Sequence, residues 1–374
     1  MIGKILLLGA AALIVMPGSA SAKAGDPIPG SYICTFLPGP ISTGTEARGA
    51  VAAVGGQVTH VYSHALSGFS AHMSATAVQK LLAKNPLIKG CTQDRVASIP
   101  PTTIGAITTR GGPPTGGGGS TQTVPWGVKR VGGPGSSAGT AWIIDTGIDL
   151  THPDLNVSTA DSVSFVTTEP SPNDRNGHGT HVAGIIGAKD NGIGVVGVAA
   201  GAKVVAVKVL DRTGNGADSD VIAGINHVVG AGHAGDVINL SLITTPLAEM
   251  DLAVQSAAAA GFYIAIAAGN SSANAGNYSP ARANGAGIYT VSAIDSKDVF
   301  ASYSNWGNPP VDFAEPGSSI LSTYKNGTYA TLSGTSMAAP HLAGILLLHN
   351  GAAPNAGGTA ISDPDKNADV IGVK

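Results

Sequence analysis

Cysteine is nearly absent from this sequence. Only Cys34 and Cys91 occur in 374 residues, so at most one disulfide can form within the chain. Aromatic residues make up 5% of it and charged residues 11%, with a net charge of −3 and no basic cluster. That composition leaves out the electrostatic footprint and stacking platforms of a nucleic-acid binder. After the apolar run at 5–16, no stretch reaches the roughly 18 consecutive apolar residues of a membrane-spanning helix. There is no His-Glu-x-x-His run, and Asp145-Thr146-Gly147 has no second Asp-Thr-Gly or Asp-Ser-Gly to partner it. What abounds is glycine, 53 residues in a chain rich in small side chains, which suits close packing of helices on a sheet. The length is ample for one large core and a smaller domain.

The first 22 residues read as an export signal: Lys4, the apolar run Ile5 to Met16, then Gly18-Ser19-Ala20-Ser21-Ala22 with small residues at the cleavage positions. The mature protein is expected to begin near Lys23, secreted and soluble, with a membrane anchor at 5–16 as the lesser alternative. Residues 23–100 form a separate small domain. Strand-like alternation at 31–36, 57–62 and 68–73, a capped amphipathic helix at 74–84 and a further helical stretch at 44–55 predict a split βαβ, ferredoxin-like α+β unit. Cys34 and Cys91 fall on its first and last strands, antiparallel neighbours in that topology. In an exported chain this predicts a Cys34–Cys91 disulfide, against the alternative of two buried thiols.

Residues 101–120 are rich in Gly, Pro and Thr without periodicity and read as a flexible, easily cut linker. From 121 to 374 strands and helices alternate: strands at 140–145, 203–209, 236–241, 262–267 and 288–293, helices near 178–188, 218–232, 246–260 and 336–349. The pattern predicts an α/β fold, a mostly parallel sheet with helices on both faces and its site beyond the carboxyl ends of the strands.

Three residues at such places carry chemistry. Ser336 stands between Gly334 and the opening turn of an apolar helix, where unpaired N–H groups and the helix dipole favour negative charge. A serine hydroxyl needs a base to act as a nucleophile, and that base needs a carboxylate to fix its tautomer. His178, in Asn176-Gly177-His178-Gly179-Thr180-His181, and Asp145, ending Trp142-Ile143-Ile144, fit those posts. Taken singly, Ser336 would be an N-cap, His178 a cap-region histidine and Asp145 a turn former; it is their joint occurrence that points to catalysis.

These motifs resemble those of the subtilisin-like serine proteases, the subtilases, including their proteinase K branch. Ile144-Asp145-Thr146-Gly147-Ile148-Asp149 is similar to the family's aspartate motif, Asn176 to His181 to its histidine motif and Gly334 to His341 to its serine motif. The resemblance implies a catalytic triad of Asp145, His178 and Ser336, with Asn270 of Ala267-Ala268-Gly269-Asn270 and the Ser336 N–H holding the oxyanion. It also implies a groove in which Gly214-Asn215-Gly216 and Ser241-Leu242 pair with extended peptide, with Gly269 beside them. Ile243 replaces the glycine usual after Ser-Leu, which narrows the pocket for the residue before the cut.

By the same resemblance a structural calcium ion is expected. Its ligands would be side-chain oxygens of Gln122, Asp154 and Asn191 with the carbonyls of Lys189, Ile193 and Val195, six oxygens in all, a number suited to calcium. Residues 23–100 resemble the family's inhibitory, fold-assisting propeptide, with Asp94 to Ile99 as its tail. About twenty further residues precede Gln122, and Pro100-Pro101 makes a poor cleavage site, so release would take two cuts. The last helix of the family is not evident in 362–374.

The expectation is a secreted, monomeric serine endopeptidase, made as an autoprocessed zymogen, acting on polypeptides and gaining activity with pH as His178 loses its proton. Three alternatives stand beside it. Asp145 could serve an aspartic protease only in a dimer, since that chemistry needs two carboxylates. His178 and His181 lack a third zinc ligand. A non-catalytic peptide-binding pseudoprotease would usually have lost a triad member.

Overall fold

The computed structural model describes residues 22–37, 43–108 and 122–374. The export-signal reading, apart from Ala22, and the linker beyond residue 108 lie outside them. Among the described residues no helix is long and apolar enough to cross a membrane.

The first unit runs β1 (Pro27–Phe36), α1 (Thr43–Ala52), β2 (Gln57–Tyr62), β3 (Gly68–His72), α2 (Ala75–Lys84) and β4 (Ile88–Ser98). Its antiparallel strands lie in the order β4-β1-β3-β2, the split βαβ arrangement expected from the pattern. Ser74 caps α2 by accepting the Ala77 N–H at 3.1 Å, and the helix buries Ala77, Val78 and Leu81 against Phe69 and Ile88. Cys34 and Cys91 are direct cross-strand partners of β1 and β4 and are joined by a disulfide.

One expectation is corrected immediately after this unit. Thr103–Thr108, taken from composition as linker, is strand β5. Its partner lies more than two hundred residues downstream, so local periodicity carries no trace of the pairing.

The larger unit follows with β6 (Thr140–Asp145), α3 (His178–Gly187), β7 (Lys203–Lys208), β8 (Asn215–Ala217), α4 (Asp218–Ala231), β9 (Val237–Leu240), α5 (Ala248–Ala259), β10 (Tyr263–Ala267) and β11 (Ile288–Ile294). It continues through β12 (Val311–Pro316), β13 (Ile320–Tyr324), β14 (Thr328–Ser333), α6 (Thr335–Leu348), β15 (Asn355–Thr359) and β16 (Val370–Val373). The main sheet has the order β15-β16-β12-β11-β10-β9-β6-β7, with the short strands Asn156–Val157 and Val163–Ser164 along the free edge of β7, and is parallel except for β15 against β16. Successive side chains of a strand face opposite sides, and both sides of β6 are buried. Trp142 and Ile144 join one core with Val221 of α4 and Met250 of α5; Ala141 and Ile143 join the other with Val182 of α3 and Leu342 of α6. The C-terminal segment, read as lacking a final helix, closes the sheet edge with β15 and β16 instead.

The two units share a core. Tyr62 and Leu66 of the first pack with Ile222 and Ile225 of α4. Asn226 accepts the N–H groups of Ser63, His64 and Ala65 at 2.7–3.1 Å, and His60 Nε2 lies 2.7 Å from Asp220 Oδ1.

Candidate active site

Asp145 ends β6 in the middle of the sheet, and its peptide carbonyl accepts the N–H groups of Val209 and Leu210. The carboxylate is fully buried. His178 opens α3, and its Nδ1 lies 2.8 Å from Asp145 Oδ1 and 3.0 Å from Oδ2. That contact fixes the tautomer with the proton on Nδ1, leaving Nε2 as the free acceptor; among the described residues it has no hydrogen-bond partner. Close approach is what the glycines serve: a Cβ on Gly179 would overlap the Gly147 carbonyl and stand 3.2 Å from Asp145 Oδ1.

Asp174, which the motifs did not single out, organises the turn before α3. Its Oδ1 accepts the N–H groups of Asn176 and Gly177, both at 2.8 Å, and the Thr146 hydroxyl at 3.0 Å, while Oδ2 accepts the Thr180 N–H and hydroxyl. One carboxylate thereby joins the aspartate motif to the histidine motif. An acidic residue four positions before a histidine is no signal by itself, because its partners are brought to it by the fold. His181, one turn further, faces away: its Nε2 donates to the carbonyls of Ile320 and Ala330, and burial pushes its pKa down to about 3. The two rings therefore do not converge as a zinc pair.

Ser336 lies in the first turn of α6, buried, with its hydroxyl 3.5 Å from the Ser241 carbonyl. Its own carbonyl accepts the Ser241 hydroxyl at 3.0 Å, which seats the α6 N-terminus against the end of β9. Asn270 follows β10. Its Oδ1 accepts the N–H and the hydroxyl of Thr335, both at 2.8 Å, and this fixes the amide so that Nδ2 faces outward. The oxygen of Thr335 in turn accepts the Gly269 N–H at 3.0 Å.

The groove residues meet the chain's own tail. In β4, Val96, Ala97 and Ser98 pair antiparallel with Ala217, Gly216 and Asn215 of β8, and the Ile99 N–H donates to the Gly214 carbonyl at 3.0 Å. On the other side Ser98 exchanges both main-chain hydrogen bonds with Ile243, at 2.8 and 2.9 Å. Leu242 is fully buried, and a methyl of Ile243 comes within 3.6 Å of the place a Cβ would take on Gly269. The tail then delivers Pro101 to Asn270, whose Nδ2 donates to the Pro101 carbonyl at 2.9 Å. A cleft of about 430 Å³ is lined by Ile99, Pro100, Pro101 and Thr102 together with Asn176 and His178. An extended chain is thus held against both the Asp145–His178 pair and the Asn270 amide. Asp94, the first residue of this tail, anchors it: buried, it accepts the Ser31 and Ser219 hydroxyls and the Ser219 N–H at the start of α4.

The expected calcium residues also gather. Gln122 Nε2 lies 2.6 Å from the Lys189 carbonyl, 3.2 Å from that of Val195 and 3.5 Å from Asn191 Oδ1. Asp154 Oδ2 accepts the Val195 N–H at 3.0 Å, whereas its buried Oδ1 has no partner, and burial pushes the carboxyl up to about 6. Among the described residues no group of three or more His, Cys, Asp or Glu side chains is placed to hold a metal. The set here has one carboxylate, with amide and main-chain oxygens for the rest. The unpartnered Asp154 Oδ1 and the carbonyl oxygens are donor types that a hard cation takes, whereas Gln122 presents Nε2 to the Lys189 and Val195 carbonyls and its Oε1, the expected ligand atom, accepts the Gly192 N–H at 3.0 Å.

Comparison with known proteins agrees with this geometry. Residues 142–365, more than half of the chain, match the Subtilase family. The chain is 37% identical over 305 residues to alkaline serine exoprotease A of Vibrio alginolyticus, covering 78% of this chain and 53% of that protein. It is 46% identical over 237 residues to subtilisin Savinase of Lederbergia lenta, covering 61% of this chain and 84% of that one. A crystal structure of a cold-adapted subtilisin-like serine proteinase superimposes with a TM-score of 0.58 at 34% identity, over 66% of this chain and 97% of that one. The chain thus spans about half the length of the Vibrio relative. By matched family, by identity and by fold, this chain belongs to the subtilases.

Proposed function

We propose that the chain is the precursor of a secreted serine endopeptidase. Ser336 is the nucleophile: its Oγ attacks the carbonyl carbon of a bound polypeptide while His178 Nε2 takes the proton. Asp145 holds the imidazole through Nδ1 and stabilises its charged form. The oxygen of the tetrahedral intermediate is held by Asn270 Nδ2 and the Ser336 N–H, donors that need no rearrangement as charge develops. His178 then gives its proton to the leaving amine, and a water repeats the sequence in reverse to release the acyl group. Gly214, Asn215, Gly216, Ser241, Leu242, Ile243 and Gly269 form the groove. It reads main chain and accepts many sequences. Residues 23–100 are the propeptide and intramolecular inhibitor, and the working enzyme is a monomer.

Calcium would be held by Gln122, Asp154, Asn191 and the carbonyls of Lys189, Ile193 and Val195. When bound, it would supply the positive charge that the buried Asp154 carboxylate lacks and would tie the segment after the propeptide to the loop at 189–195.

The observation that carries this proposal is the Asn270 Nδ2 contact with a peptide carbonyl of a chain laid along the groove. Intact mass after incubation with calcium tests it, wild type beside Ser336→Ala. Loss of the first ~100–120 residues only in the wild type supports self-processing. Identical cutting of both chains means an external protease, and no cutting of either favours the pseudoprotease.

A further inference from the structure

We propose that Lys208 is a positioning residue for Asp145, fixing the turn that follows it, and that Glu169 and Arg212 tie the same turn to the segment bordering the groove. The inference rests on the protease reading of the same site. Among the described residues Lys208 is the one lysine or arginine that is buried, and it is fully so. It ends β7, behind the buried Val204, Val205, Ala206 and Val207, and stands in register beside Asp145 at the end of β6. Burying an ammonium is costly, and an apolar side chain there would spare that cost. The reason for a lysine lies in what it holds.

Its Nζ donates to the Thr146 carbonyl at 2.8 Å and to the Leu210 carbonyl at 2.7 Å. Both acceptors belong to residues that grip Asp145. The Thr146 N–H donates to Asp145 Oδ1 at 2.7 Å, and the Leu210 N–H donates to the Asp145 carbonyl at 3.2 Å. The Thr146 hydroxyl donates to Asp174 Oδ1 and accepts the N–H of Gly179, the residue after His178, at 2.9 Å. Lys208 thus pairs the remaining polar group of a fully buried threonine that touches both sides of the Asp145–His178 contact. Without the ammonium that carbonyl is left buried and unpaired, and the turn loses what orients it.

Glu169, also buried, balances the charge: its Oε2 lies 3.1 Å from Lys208 Nζ. Its Oε1 accepts the Arg212 Nε–H at 2.8 Å and the Arg212 N–H at 3.3 Å. The Arg212 carbonyl accepts Asn176 Nδ2 at 3.0 Å, and Asn176 Oδ1 accepts the His178 N–H at 3.2 Å. Arg212 lies in the turn that Asp211 and Asn215 close at the start of β8. One network of side chains therefore reaches Asp145, His178 and the groove.

The test compares two variants of the full chain left to process itself. Lys208→Met keeps the length of the side chain but has no donor; Glu169→Gln leaves the ammonium and its two carbonyl bonds in place. Turnover of a fluorogenic tetrapeptide with alanine before the cut is measured well below Tm, per active site counted with a phosphonyl fluoride, so that unfolded molecules do not enter. Lys208→Met should lower kcat about 10- to 100-fold with KM little changed, the scale of a small misplacement of catalytic groups. Glu169→Gln should lose much less. Unchanged kcat in Lys208→Met makes the lysine a fold-stabilising residue only and overturns the proposal. Equal losses in the two variants also overturn it, since the ion pair and not the carbonyl bonds would then matter. Lys208→Gln, which keeps an N–H donor without charge, replaces Lys208→Met if that chain does not fold; its kcat should fall between the two, and a kcat equal to the parent's overturns the proposal. If the parent itself hydrolyses nothing, the protease reading fails and NMR decides the positioning separately. In the Ser336→Ala chain, the low-field proton signal of His178 Nδ1–H bonded to Asp145 should move in Lys208→Met and hold in Glu169→Gln. The same position in both overturns the proposal.

Discussion

Asn270 shows how much of this site is decided atom by atom. One end of its amide is committed to Thr335 and the other is thereby aimed at the Pro101 carbonyl. Asn270→Ala should lower kcat about 100- to 1000-fold, the range known for the oxyanion asparagine of subtilisin, with KM little changed. Equal losses in binding and turnover would mean the amide positions substrate instead. At Ile243, replacement by glycine should raise kcat/KM toward peptides with phenylalanine before the cut by roughly 10- to 100-fold relative to alanine, since the side chain fills space beside Gly269. An unchanged ratio would place the pocket wall elsewhere. His181 and His341 are fully buried, and desolvation pushes their pKa values down to about 3 and about 4. Both values lie below the unfolded value of about 6.5. Their cost to stability is therefore absent above that pH and grows as pH falls toward the folded values. Histidine NMR should find both rings neutral at pH 5; a ring that titrates near 6.5 would contradict the packing.

At the scale of elements, the chain is joined by strands that cross between its units. β4 belongs to the small sheet yet pairs with β8 of the large unit, and β5 completes the β13–β14 hairpin. Within the small unit the Cys34–Cys91 disulfide ties β1 to β4 and encloses 57 residues of separation. Replacing both cysteines by serine in the Ser336→Ala chain should cost about 2–4 kcal/mol in the unfolding of this unit. Urea denaturation followed by amide exchange should show the loss in residues 27–98 and little change in β9 or β10. Equal loss in both regions would mean that the two units unfold together.

For the whole molecule the decisive quantity is whether the segment that begins at Gln122 is tied down. With calcium at about one hundred times its dissociation constant, linkage predicts about 2.7 kcal/mol of added stability. For a domain of this size that is roughly 5–10 °C in Tm. Scanning calorimetry of the Ser336→Ala chain with calcium and with chelator measures it. Asp154→Asn should abolish the difference, since it removes the one carboxylate of the set; a calcium shift that survives in that variant would place the ion elsewhere.

Strands β6, β7, β9, β10 and β11 and helices α3 to α6 were legible in the chain because each buries a continuous apolar stretch, and burial imposes a local period. The placement of Asp145, His178 and Ser336 was legible for a related reason: a serine at a helix start, a carboxylate at a strand end and glycines for close approach are all short-range features, whereas Asn270 was picked out by the family resemblance. The disulfide followed from strand order. What the chain alone did not disclose is everything made by pairing at a distance. β5 lacks periodicity because its side chains stay exposed and its partner lies far along the sequence. Asp174 and Asp94 have ordinary neighbours until the fold brings Thr146, Thr180 and Ser219 to them. Backbone pairing and buried carboxylates depend on which elements meet, and only the tertiary structure decides that.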